Sequence, residues 1–87
     1  MIAAVIVTVK VAGTGVQYDM ELPADIPLKD LSPKLLVALK GLEGKLFLGV
    51  ERIKVMFDAE GRYLKEKETL VDVGIWDGSM ITVERMV

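Results

Sequence analysis

The chain contains no cysteine and no histidine. Without cysteine there is no disulfide, no thiolate nucleophile, no iron–sulfur cluster and no thiolate zinc site. Without histidine there is no imidazole base, no Ser/His or Cys/His pair and no imidazole metal ligand. Most familiar catalytic sets are thereby excluded. No catalytic residue, no cofactor and no metal site is expected. Charge of one sign is also lacking: 11 Lys+Arg stand against 13 Asp+Glu, a net of -2. A nucleic-acid partner is not expected, because such binding needs a basic face to neutralise phosphates. Long apolar runs are missing too. The stretch Met1–Val9 falls far short of the roughly 20 residues of a membrane span. It has no basic leading region and no small-residue cleavage site. A first strand is expected there, with no direct membrane insertion and a cytoplasmic location.

What the chain does have is apolar side chain in quantity. Of its 87 residues 52% are hydrophobic, and the mean hydropathy is +0.41. That excludes a disordered chain, which lacks the apolar residues to offset ordering entropy. The length allows a single domain over residues 1–87. A domain of this size buries only about 60–65% of its unfolded surface, so the core must be dense.

Period-two alternation marks the first strand: Val5, Val7, Val9 and Val11 alternate with Ile6, Thr8 and Lys10. Ala12-Gly13-Thr14-Gly15 is a turn. Val16, Tyr18, Met20 and Leu22 then alternate with Gln17, Asp19 and Glu21, completing an antiparallel hairpin. The polar outer face of this second strand suits a sheet edge. Pro23 ends it. Asp25 is the candidate helix cap, with Pro27 in the first turn. Leu28, Leu31, Leu35, Leu36, Leu39 and Leu42 recur at spacings of three and four, the stripe of an amphipathic helix. Pro33 leaves two readings: a kinked helix from about Pro27, or a fresh start with Ser32 as cap. Gly41 and Gly44 are the stop signals. Lys45–Glu51 has no legible period. Ile53, Val55 and Phe57 restore period two, Asp58-Ala59-Glu60-Gly61-Arg62 reads as a hairpin turn, and Tyr63-Leu64 as a very short strand. A last strand alternates Ile81 and Val83 with Met80, Thr82 and Glu84 after the turn Trp76-Asp77-Gly78-Ser79. The expected core is Val5, Val7, Val9, Tyr18, Met20, Leu31, Leu35, Leu39, Val55, Phe57, Ile81 and Val83. One helix after two strands packs on one sheet face, an α+β domain. With the first and last strands paired in parallel in the middle, this is a β-grasp with a mixed sheet of four to five strands.

Two segments carry a family resemblance. Leu22-Pro23-Ala24-Asp25-Ile26-Pro27-Leu28, followed by Leu31 and Leu35-Leu36, resembles a pattern of strand end, corner and leucine-rich helix. Thr69-Leu70-Val71-Asp72-Val73-Gly74-Ile75 with Asp77-Gly78 resembles the matching C-terminal pattern. Both are found in the YukD/EsaB family of small ubiquitin-like proteins and in the ubiquitin-like N-terminal domain of EccD-type membrane proteins. These belong to type VII (ESX-like) secretion systems. The resemblance implies a ubiquitin-like fold and a non-enzymatic, non-conjugated accessory or regulatory role, exercised through protein contacts. The partner so implied is a membrane component of the secretion apparatus; a homodimer is a separate expectation. Ubiquitin-like modifiers and sulfur carriers act through a C-terminal Gly-Gly, whereas this sequence ends Glu84-Arg85-Met86-Val87, so neither activity is expected. A β-grasp adaptor of another pathway is the remaining alternative.

The remaining signals are weaker. Gly13-Thr14-Gly15 lacks the third glycine of a dinucleotide fingerprint and joins two strands. Asp58 and Glu60 flank a turn but fall short of the six or more oxygens that calcium takes. Glu66, Glu68 and Asp72 read as a solvated loop, and Lys10, Lys45, Arg52 and Lys54 as interspersed surface charge. Partner binding at such a domain rests on a few aromatic or long apolar anchors. The candidates are Trp76 and Met56, with Phe47 and Leu48 if exposed; core packing is the competing reading for all four. Ile6, Thr8, Met56, Thr82 and Glu84 are expected on the outer sheet face, which is too mixed to serve ubiquitin's own partners.

Overall fold

The computed structural model describes residues 4–86. The expected first strand begins within residues 1–3, which lie outside that range, as does position 87. Strands β1 (Ala4–Val11), β2 (Gln17–Pro23), β3 (Arg52–Phe57), β4 (Arg62–Tyr63) and β5 (Met80–Met86) surround one helix, α1 (Leu28–Leu42). They form a five-stranded sheet in the order β2-β1-β5-β3-β4. β1 and β5 run parallel in the middle, from Thr8 opposite Met80 to Val11 opposite Val83. β2 and β4 take the edges. This is the mixed β-grasp sheet that the alternating valines and the late Ile81/Val83 pair predict.

The inward side of each strand is the apolar one. Val5, Val7, Val9, Val11, Val55, Phe57, Ile81 and Val83 meet Leu28, Leu31, Leu35, Leu36 and Leu39 of α1, and all are buried. Tyr18 and Met20, expected in the core, are only half-buried. They lie on the edge strand, where the helix covers less of the sheet. The Tyr18 hydroxyl reaches past the core and donates to Glu43 Oε1 at 2.7 Å. That hydrogen bond, with burial and the carboxylate charge, raises the phenol's pKa.

The helix is continuous through Pro33, so Ser32 does not start a new one. Pro33 lies one turn beyond the start and is exposed. Its missing N–H removes one intrahelical bond, to the Lys29 carbonyl, close to the helix start, where the loss is tolerated best. Asp25 does not cap: the cap residue is Pro27, with no side-chain bond. The free N–H groups at the helix start are satisfied from the far end of the chain. Leu28 and Lys29 donate to the carbonyls of Glu68 and Glu66 at 2.8 and 3.1 Å, and Val71 N–H returns to Ala24 C=O at 3.1 Å. The charged loop between β4 and β5 is thus the helix's N-terminal cap. Gly41 does not stop the helix, which runs on to Leu42. The close comes at Glu43, whose N–H bonds Leu39 C=O at 2.7 Å. Gly44 follows immediately.

The illegible stretch is a run of turns that closes the core. Phe47 and Val50 are buried and Leu46 packs partly against them. Phe47 N–H bonds Glu43 C=O and Val50 N–H bonds Phe47 C=O, both at 3.1 Å. Gly49 has φ +74°, which lets the chain reverse between Leu48 and Val50.

Candidate interaction surface

The outer face of the sheet carries Ile6, Thr8 and Lys10 of β1, Met80, Thr82 and Glu84 of β5, Lys54 and Met56 of β3, and Tyr63 of β4. Strand alternation sends these side chains away from the helix. Across the middle the face is polar and cross-braced. Asp58 takes Lys10 Nζ at 2.6 Å and the Thr82 hydroxyl at 2.6 Å. Burial pushes the Asp58 carboxyl up, but the bonds from Lys10 and Thr82 outweigh it and hold the pKa below the ordinary value. The Thr8 hydroxyl donates to Asp19 at 2.8 Å. Tyr63 donates to Glu84, and Lys54 stands 5.2 Å from the Tyr63 ring centroid. Asp58 is therefore spent on β1 and β5 rather than left for a cation. Among the described residues no three carboxylates gather as a metal set.

At the start of β1 and β5 the face turns apolar. The turn Trp76–Ser79 is bolted to β1: Ile6 N–H donates to Asp77 Oδ1 at 2.8 Å, Gly78 N–H to Ile6 C=O at 2.9 Å, and Thr8 N–H to Ser79 C=O at 2.9 Å. Gly78 holds φ +88°, which lets its amide turn onto Ile6. The Ser79 hydroxyl accepts from Trp76 N–H at 3.0 Å. These bonds bring three exposed apolar side chains to one end of the sheet: Ile6 at 54%, Trp76 at 49% and Met80 at 41% exposure.

The four anchors proposed from sequence do not form one site. Trp76 is exposed at the N-terminal end of β5. Met56 is half-buried in the middle of the outer face, beside Thr82 and Tyr63. Leu48 is 85% exposed, but its turn lies at the other end of β5, where Arg85 Nη1 donates to Leu46 C=O at 3.0 Å. A seven-residue strand spans roughly 20 Å, which separates Leu48 from Trp76. Phe47 is fully buried and leaves the set: its ring fills the core under the turn. Met80 and Ile6 were not among the anchors, although the alternation Met80, Thr82, Glu84 places Met80 on the outer face.

The loop after β4 carries the other strong polar contact. Arg62 grips Glu68 in bidentate fashion, Nη1 to Oε1 at 3.0 Å and Nη2 to Oε2 at 2.9 Å. The Glu68 carboxylate also accepts Lys65 N–H at 2.7 Å. The guanidinium first, then this backbone amide, hold its pKa down to about 2. Glu68 is thus a loop brace rather than part of an acidic site with Glu66 and Asp72.

Residues 5–83 match the family described as protein YukD of the WXG100 protein secretion system (Wss). The chain belongs to the YukD family. Among solved structures the fold is shared with ubiquitin-like domains of type VII secretion proteins. The EccD5 ubiquitin-like domain from Mycobacterium xenopi is 21% identical, with 95% of this chain and 94% of that one covered, at TM-score 0.75. The ubiquitin-like domain of ECCD1, a type VII secretion protein of Mycobacterium tuberculosis, has the same identity and TM-score, with 95% and 99% covered. A chain of the MycP5-free ESX-5 inner membrane complex is 24% identical at TM-score 0.77; 99% of this chain is covered, but it spans only 22% of that one. No significant match is found among curated proteins. Among the described residues no helix is long and apolar enough to cross a membrane.

Proposed function

We propose that this YukD-family protein is a single ubiquitin-like domain that serves a type VII secretion apparatus as a non-enzymatic accessory protein, acting in the cytoplasm through contact with a membrane component. The family match over residues 5–83 carries this reading. The likeness to part of an inner membrane complex chain supports a partner of that kind. The contact surface is the apolar end of the sheet, with Trp76 as its main anchor and Ile6 and Met80 beside it. Exposed aromatic residues flanked by long apolar ones are the usual energetic centres of protein interfaces.

The test joins a secretion assay to a binding assay. Deleting the gene should reduce secretion of the apparatus's own substrates, and the wild-type copy should restore it. The Trp76→Ala protein should keep its melting temperature, fail to restore secretion, and lose most of its co-purification with the apparatus membrane proteins. Normal secretion in the deletion strain would refute the role. Full rescue by a combined Ile6→Ala, Trp76→Ala and Met80→Ala variant would refute the surface.

A further inference from the structure

A second surface lies on the other side of the molecule. A groove of about 560 Å³ separates α1 from β3. Its apolar floor is formed by Leu28, Leu36, Ile53, Val55 and Leu64. β3 forms its inner wall, and the sheet edge there is open from Arg52 to Lys54, up to Val55, which faces Leu64. β4 pairs with β3 only at Met56 and Phe57, with one further bond from Leu64 N–H to Val55 C=O at 2.8 Å. Backbone groups alternate sides along an antiparallel strand. Because Val55 turns its carbonyl away from β5, Ile53 and Val55 turn their N–H groups the same way. Among the described residues neither N–H, nor the Ile53 carbonyl, has a hydrogen-bond partner on that side. The opposite groove, between α1 and β2, is laced by the Tyr18–Glu43 bond.

An unpaired strand edge beside an apolar trench is the geometry of strand addition, in which main-chain bonds supply affinity and alternate side chains fill the trench. The charges along the rim specify the occupant further. Lys29 stands on the helix side, and Arg52 and Lys54 stand on the outward side of β3 along its open edge, against Glu51 and Glu66, so the rim carries an excess of one positive charge on a chain of net charge -2. Among the described residues none of these three cations is within ion-pair distance of a carboxylate. We infer that the β3 edge binds an extended segment of a protein partner, with apolar residues at alternate positions and carboxylates flanking them. The site is separate from the Trp76 surface, and its test does not depend on the secretion role.

The probe is a short synthetic peptide of alternating Val and Thr with Asp at both ends, titrated into the full chain and followed by amide NMR. Shifts should concentrate at Arg52–Val55 and along the facing side of α1, and amide exchange at Ile53 and Val55 should slow. The same peptide with N-methylated edge-facing amides should not bind. Arg52→Glu combined with Lys54→Glu should weaken binding about tenfold, the loss of roughly two partly exposed ion pairs. Ile53→Pro removes an edge-facing N–H without touching the bonds to β5 and should abolish binding; the methylated peptide makes the same test on the native fold. No shifts at millimolar peptide, shifts centred elsewhere, or equal binding by the methylated peptide would overturn the proposal. Unchanged affinity in the charge-reversed variant would overturn its acidic component. Concentration-dependent self-association that protects the same amides without peptide would overturn it in favour of a second copy.

Discussion

Two adjacent residues in the turn after α1 should respond to truncation in opposite ways. Phe47 is fully buried and Leu48 is 85% exposed. Phe47→Ala removes a ring from a closed part of the core and leaves a cavity, a change that costs about 3–5 kcal/mol. A domain of 87 residues has a total stability of roughly 4–13 kcal/mol. The variant should therefore melt at least about 12 °C below the wild type, and it unfolds at room temperature where the wild type lies at the low end of that range. Phe47→Leu, which keeps most of the apolar contact, should cost about 1–2 kcal/mol and yield a measurable transition. Each kcal/mol lowers the melting temperature by about 4–8 °C in a domain of this size. Leu48→Ala should stay within about 0.5 kcal/mol of wild type. Guanidinium unfolding can be followed by the fluorescence of the single tryptophan, which lies at the other end of β5, and by far-ultraviolet circular dichroism. A Phe47→Ala protein within about 1 kcal/mol of wild type, or a Leu48→Ala protein destabilised as much, would show that the turn does not close the core as described.

Asp77→Ala should cost about 1 kcal/mol, because Ile6 N–H loses its acceptor while staying near solvent, and Asp77→Asn should recover most of it; equal losses in the two variants, read from the same unfolding curves, would refute a hydrogen-bond role. The Glu68 carboxyl should titrate near pH 2 in the folded protein, against an ordinary value of 4.5. Its pairing with Arg62 therefore supports the fold fully above pH 4.5 and is lost as pH falls toward 2. Carbon-detected NMR of the side-chain carboxyl checks this, and a midpoint near 4.5 would mean that the Arg62 fork is not held in solution.

The strands were legible because β-branched residues alternate without interruption, as in Val5 to Val11, and one buried face fixes their register. The parallel centre followed from two strongly apolar runs at the ends of the chain. The failures share a cause: partners distant in sequence. Asp25 looks like a cap, but the helix start draws on carbonyls of Glu66 and Glu68, which no local pattern announces. Phe47 and Leu48 are neighbours in an aperiodic stretch, so sequence could not say which points inward; Gly49 marked a reversal without fixing its direction. Tyr18 obeys the alternation of its strand yet sits where the helix no longer covers the sheet. Of the proposed anchors, only the exposure of Trp76 and Leu48 emerged as their use requires. Their separation along β5 depends on topology. A very short strand at Tyr63-Leu64 was legible; that its shortness bares the β3 edge follows only from the sheet order.

The central pairing also governs when this protein can fold. The Ile6–Asp77 bond joins residues 71 positions apart, and every β1–β5 pair has a similar separation. Such long-range pairings close late, because chain-closure entropy must be met before their contacts form. The β1–β2 hairpin and α1 can form as soon as they are synthesised, but they have no finished sheet to rest on. On the ribosome the valines of β1 stay without their central neighbour until Met80–Met86 has cleared the exit tunnel. A nascent chain stalled before Trp76 should remain sensitive to protease and prone to capture by chaperones, and the native sheet should assemble in one late step.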